Sequence, residues 1–139
     1  MSSLTLAYSP CPNDTFIFHA WTHGLLPEAP EVTVQLADID QLNQLALRQE
    51  ADVIKVSAHA LGHLRLHYVL LHSGGALGRG CGPLIVARKD SWLRPATSAR
   101  RVAQLVDGLE RARLAVPGDL TTAAILMRLL IGRNQEMRV

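Results

Sequence analysis

Along the first half of the chain the apolar residues switch repeatedly between two periods, and that switching limits the fold more than any other feature. The run "LTLAY", Leu4–Tyr8, has strand character, and residues 14–23 follow at helical spacing up to Gly24, which readily takes the left-handed conformation that closes a helix. In residues 32–39 apolar and polar positions alternate, after which residues 40–48 carry Leu42, Leu45 and Ala46 on one helical face. "ADVIKVS" supplies a third strand and residues 58–67 a third helix. Strands alternating with helices predict an α/β fold: a mostly parallel sheet covered by helices, with ligands at the carboxyl ends of the strands.

Residues 68–73, "YVLLHS", and 82–90, "GPLIVARKD", read as further strands. Beyond Asp90 the texture turns polar and irregular, then gives a helix over 102–111, a short strand in "RLAVPG" and the helix "TTAAILMRLLIG", capped by Asp119 or Thr121. We therefore divide the chain into a first α/β lobe, residues 1–90, and a linker with the start of a second lobe, residues 91–139. One strand and one largely apolar helix do not complete a sheet domain, so an incomplete chain is expected.

Fourteen basic and twelve acidic residues leave a net charge of +2, which points to neither nucleic acid nor an anionic membrane as a partner. Only two cysteines, Cys11 and Cys81, occur in 139 residues. That usage suits free thiols and a cytoplasmic location better than a disulfide-stapled secreted domain. The N-terminal "MSSLTLAYSP" shows neither a basic segment nor a signal-length apolar stretch.

Four places carry candidate chemistry. The corner "YSPCPNDTF" follows the first strand; Pro10 and Pro12 stiffen it, and Asn13 and Asp14 are good helix caps. Its free N–H groups and helix dipole suit a ligand carboxylate or phosphate, and an ordinary capped helix would look the same. Cys11 as a nucleophile would need a base such as His19 or His23. Lys55 interrupts an apolar strand, a costly position unless its ammonium reaches solvent or a partner, and Ser57 follows at the strand end. Thr121 and Thr122 open the last helix, where they serve either as caps or as contacts to an anionic or hydroxylated group. "HSGGALGRGCGP" holds five glycines but opens no helix and lacks the lysine of a phosphate loop, so it reads as a turn at a cleft rim, with Arg79 solvated or on an anion. His59, His63 and His67 recur every four residues; with no carboxylate or cysteine to complete a metal set, they read as surface histidines, and no metal is expected.

Taken together and in this order, "SPCPNDTF", "KVSAHA", "SGGALGRGCGP" and "AVPGDLTTA" resemble the 1,4-dihydroxy-6-naphthoate synthase family of the futalosine route to menaquinone. The resemblance runs from Leu4 to about Leu130, and the final "GRNQEMRV" matches nothing expected. It implies a fold similar to type II periplasmic binding proteins, with the ligand in the cleft between two lobes. It further implies a lyase that converts cyclic dehypoxanthinyl futalosine to 1,4-dihydroxy-6-naphthoate through a histidine general base, without metal or organic cofactor. Carried onto matching positions, substrate contacts fall at Lys55, Val56 and Ser57 on one lobe and at Thr121 and Thr122 on the other, and the substrate is a small-molecule carboxylate. The family's histidine stands in an apolar strand followed by His-Glu, beyond the threonine pair; none of the six histidines here maps onto it, so no catalytic residue is named and this chain alone is expected to be inactive.

A non-catalytic binding protein for a small anion or other solute, with the same architecture, is the alternative. Chorismate dehydratase, of the same fold, does not share "SPCPNDTF". The exposed apolar helix over 123–131 also suits pairing with another chain or with its own copy, as in a homodimer.

Overall fold

The computed structural model describes residues 3–80, 82–93, 98–132 and 137–139. Strand β1 (Leu4–Tyr8) leads through helix α1 (Pro12–Thr22) to β2 (Val32–Leu36), and helix α2 (Ile39–Leu47) leads on to β3 (Val53–Ile54) and helix α3 (Ala58–Leu64). After a long irregular stretch come α4 (Ala99–Leu109), β4 (Leu114–Ala115), α5 (Thr122–Ile131) and β5 (Met137–Arg138). The first three strands form one parallel sheet in the order β2-β1-β3, with Leu4 opposite Val32 and Leu6 opposite Val53. β4 and β5 form a second parallel pair, Leu114 opposite Met137. The protein is thus mixed α/β with small parallel sheets.

β1 lies at the centre because its residues suit burial on both faces: Leu6 and Ala7 are fully buried and Tyr8 nearly so. Alternation sends neighbouring side chains to opposite sides. Ala7 joins Leu42, Leu45 and Ala51 against α2, whereas the Tyr8 ring stacks on Phe18 of α1 with centroids 4.8 Å apart. α1 and α2 therefore cover opposite faces. The chain moves one way to β2 and back past β1 to β3, and right-handed crossovers place the two connecting helices on opposite sides when the direction reverses.

A second cluster, Ala46, Ala60 and Leu64, takes in Val56, Tyr68 and Leu120, and so carries packing from the first sheet to the approach of α5. A third gathers Leu109, Leu114 and Ile131 among α4, β4 and α5. The loop before α5 comes so close to α2 that a Cβ on Gly118 would lie 2.1 Å from Asp40 Oδ1 and 2.7 Å from Asp40 Cβ. Only glycine fits there.

Several element boundaries differ from the sequence reading. α1 starts at Pro12 with Cys11 as N-cap, which puts Asn13 and Asp14 inside the first turn and not at the cap. The second strand stops at Leu36 because Asp38 turns the chain, its carboxylate accepting from Gln41 N at 2.9 Å to start α2. α4 begins at Ala99, capped by Ser98. Thr121, not Asp119, caps α5. Residues 68–73 and 82–90 are not strands, since no partner strand lies beside them among the described residues; Val69, Leu84 and Val86 are all more than four-fifths exposed. The final segment, which matched nothing expected, contributes β5. Cys11 is a free, exposed thiol, and Cys81 lies outside the described residues. No helix among the described residues is long and apolar enough to cross a membrane.

Three stability effects follow. Leu42→Ala, at a fully buried site, is expected to cost about 2–5 kcal/mol in urea unfolding. Gly118→Ala should cost roughly 1–3 kcal/mol in the same experiment, because Asp40 must be displaced. Tyr68 donates to Ala51 O at 2.8 Å, and burial, aided by the charge of Asp52, holds its hydroxyl above the ordinary value of 10.0. A raised folded value means stabilisation that is complete below pH 10 and lost as the pH climbs through that folded value. Tyr68→Phe is expected to remove this alkaline sensitivity, at a cost near neutrality of about 1 kcal/mol.

Candidate functional site

Where strand order reverses, the carboxyl ends of two neighbouring strands open a crevice that no crossover covers. Here that point lies between β1 and β3, and the residues leaving these strands are Ser9 on one side and Lys55, Val56 and Ser57 on the other.

Asp14, in the first turn of α1, folds back under the corner. Its carboxylate accepts from Ser9 Oγ at 2.7 Å and Ser9 N at 3.4 Å, and takes an ion pair from Lys55 Nζ. Cys11 N in turn donates to Ser9 Oγ at 3.4 Å. The negative charge that the α1 dipole favours at its N-terminus is therefore a resident one. The Asp14 side chain is only 8% exposed and that of Lys55 20%, so each needs the other as counter-charge. Lys55 resolves its awkward position in an apolar strand by this pairing while its backbone N–H bonds Ala7 O across the sheet at 2.9 Å. Val56 turns into the cluster around Ala46 and Leu64.

Ser57, nearly buried, is held by Asn43 of α2: Asn43 Oδ1 accepts from Ser57 N at 3.0 Å, and Asn43 Nδ2 donates to Ser57 Oγ at 3.2 Å. Asn43 is fully buried. Sequence reasoning missed it. The available signal was a polar residue between Leu42 and Leu45, one turn before Ala46, on the apolar stripe of α2, a position that requires a hydrogen-bond partner inside the protein.

The start of α5 reaches the same end of the sheet. His59, in the first turn of α3, lies with Nδ1 3.3 Å from Thr121 O. Thr121 spends its hydroxyl on both sides, donating to Gly118 O at 2.7 Å and accepting from Ala124 N at 3.2 Å, and so acts as a cap. Thr122 is half-buried beside it. Arg128 ties the same turn down through Asp119 O and Oδ1, each at 2.9 Å. The structure thus brings Asp14, Lys55, Val56, Ser57 and the Thr121–Thr122 turn to one end of the first sheet. Asn13, beside Asp14 in the first turn of α1, is exposed.

Other candidates do not converge. Cys11 is exposed at the α1 N-cap, whereas His19 and His23 sit towards the far end of that helix, roughly 12 Å or more along its axis, with their rings 4.1 Å apart. His59 and His63 approach to 5.7 Å between centroids, and His67 lies beyond the end of α3. Among the described residues no group of three or more His, Cys, Asp or Glu is placed to hold a metal. Arg79 is exposed in an irregular segment in which Gly74 and Gly80 take positive φ.

Removing one charge of a largely buried pair strands the other. Asp14→Ala is expected to destabilise by about 3 kcal/mol, and the double variant with Lys55→Met by less than the sum of the two single losses, as read from urea denaturation of all three.

Against this geometry the comparisons are consistent with one another. The chain is 46% identical over 128 residues to a 1,4-dihydroxy-6-naphthoate synthase of Streptomyces coelicolor, covering 91% of this chain and 40% of that protein. It is 43% identical over 129 residues to the enzyme of the same name from Thermus thermophilus, covering 93% and 42%. This chain therefore spans about two-fifths of the length of these curated relatives. A crystal structure of an Archaeoglobus fulgidus protein is similar with a TM-score of 0.79 and 31% identity, over 99% of this chain and 46% of that one. A family model described as "Menaquinone biosynthesis" matches residues 4–139, including the last segment, and the chain belongs to that family.

Proposed function

We propose that this chain is the substrate-holding part of a 1,4-dihydroxy-6-naphthoate synthase, the lyase that converts cyclic dehypoxanthinyl futalosine to 1,4-dihydroxy-6-naphthoate. The observation that carries this reading is the convergence of Lys55, Ser57 and the Thr121–Thr122 turn, joined through His59, at the switch point of the first sheet. The names of both curated relatives support the activity. The architecture we propose is the type II periplasmic-binding-protein-like one, with residues 1–90 in a first lobe and 91–139 beginning a second, working in the cytoplasm on a small carboxylate. In its support, α5 packs against α3 and its cap residue meets His59, which sets this part of the chain beside the carboxyl end of the first sheet.

The roles follow from what each group has left to give. Lys55 commits one of its three N–H directions to Asp14 and supplies positive charge to a ligand carboxylate. Ser57 adds a hydroxyl and Val56 a backbone amide. From the other wall Thr122 offers its hydroxyl and the first N–H groups of α5, since Thr121 is spent on capping. Asp14 acts through Lys55 by fixing where the ammonium sits. No histidine of this sequence corresponds to the family's general base, so this chain's contribution is binding and orientation.

Titration calorimetry with 1,4-dihydroxy-6-naphthoate tests the reading. The chain is expected to bind it, and Lys55→Met to weaken binding about tenfold or more, the usual worth of a charge-assisted hydrogen bond. Co-expression with a polypeptide matching the rest of the Streptomyces relative should yield turnover of cyclic dehypoxanthinyl futalosine. Binding without turnover in that pairing would favour the solute-binding alternative, and no binding would overturn both.

A further inference from the structure

We infer that Asn43 is a positioning residue that occupies one lone pair of the Ser57 hydroxyl and leaves its proton for the ligand, so that this position of the site favours a hydrogen-bond acceptor, such as a carboxylate oxygen. The inference rests on the reading of Lys55, Val56 and Ser57 as the ligand-facing wall. Ser57 N–H can only donate, so the Asn43 amide oxygen must face it, at 3.0 Å. The amide is planar, which puts its NH2 on the other arm, 3.2 Å from Ser57 Oγ. Flipping the amide would set donor against donor at Ser57 N. Ser57 Oγ therefore accepts from Asn43, and its own proton must point elsewhere.

Ser57 is the N-cap residue of α3, yet its side chain makes no capping bond, and no acceptor for its proton lies among the described residues. A hydroxyl with an uncommitted proton on a residue only 8% exposed is unfavourable unless something completes it. Asp14 does not fill that role, because its carboxylate is engaged by Ser9 and Lys55. With Asn43 fully buried and held at both ends, one lone pair of Ser57 Oγ is committed before any ligand arrives and its proton is left for a ligand acceptor. A ligand group that itself donates, such as an amide N–H or an ammonium, can use only the remaining lone pair and leaves that proton without a partner.

The test uses two probes of one shape, 2-naphthoate and 2-naphthamide, titrated into the full chain by NMR. Asn43→Asp keeps the shape of the side chain but offers acceptors on both arms, so Ser57 Oγ–H turns towards it and presents lone pairs to the ligand. The preference for naphthoate over naphthamide is expected to fall about tenfold or more. Because the new carboxylate also repels an anion, the same change is made in a Ser57→Ala background, where the preference should shift less than about threefold. An equal shift in both backgrounds, or equal weakening of both probes, would overturn the inference. If Asn43→Asp does not fold, the Asn43 side-chain amide of the unaltered chain reads the same bond: its protons should be protected from exchange and lose that protection in Ser57→Ala, and unprotected protons would sink the idea. Failure of the unaltered chain to bind either probe, with that amide still protected, would instead overturn the site reading, and with it any role of Asn43 towards a ligand.

Discussion

A carboxylate cannot be taken out of water without a counter-charge or several donors, and Asp14 has both. Its ion pair with Lys55 and its bonds to Ser9 join the corner after β1 to the end of β3, the two edges of the crevice. That one contact explains features that look unrelated in the sequence. The stiff Pro-Cys-Pro-Asn-Asp corner aims an acid of the first helical turn back under its own strand. The lysine in an otherwise apolar strand is tolerated because its charge is met. The pair is close to neutral as a unit, yet an ammonium has three donor directions and the carboxylate claims one, so positive character remains for a ligand.

The position of the site follows from topology more than from any motif. With β1 central and β2 and β3 on either side, the two crossover helices take opposite faces, and the gap between β1 and β3 is the one place at the carboxyl edge that neither helix closes. Gly118 then allows the loop before α5 to lie against Asp40 at the start of α2, and His59 meets the carbonyl of the α5 cap residue. Close approach of backbone at this glycine is thus one of the contacts, with His59 and Leu120, that set how the second part of the chain addresses the first.

Elements whose cause is local were legible in the sequence: the alternation of periods from β1 to α3, the left-handed Gly24, and Lys55 as a residue in need of a partner. The identity of that partner was not, because Asp14 lies 41 residues away and its own capping propensity suggested a different role. Asn43 escaped for the same reason, its bonds to Ser57 spanning 14 residues. The strand readings over 68–73 and 82–90 failed in the opposite sense. Their β-propensity is plain, but propensity does not form a strand without a ladder to join, and the described residues supply none.

Those unpartnered apolar runs also separate what is self-sufficient in this chain from what is not. Ser9, Asp14, Asn43, Lys55 and Ser57 all lie within the first 57 residues, and each is fixed by hydrogen bonds to others of the set or to the sheet they frame. Their order depends on Ala7, Leu42, Leu45 and Ala51, with Ala37, Ile39 and Ile54 packed around them, a core drawn from β1, α2, β3 and the loops beside them. The wall bearing Thr122 reaches this unit through Leu120, Gly118, the His59 contact and the packing of α5 against α3. The donors of one wall are therefore tied to one another before a ligand arrives, and the other wall joins them through α3 and the turn that opens α5. Binding energy gained by closing the second wall on the first is spent on orienting the ligand rather than on organising the donors that hold it.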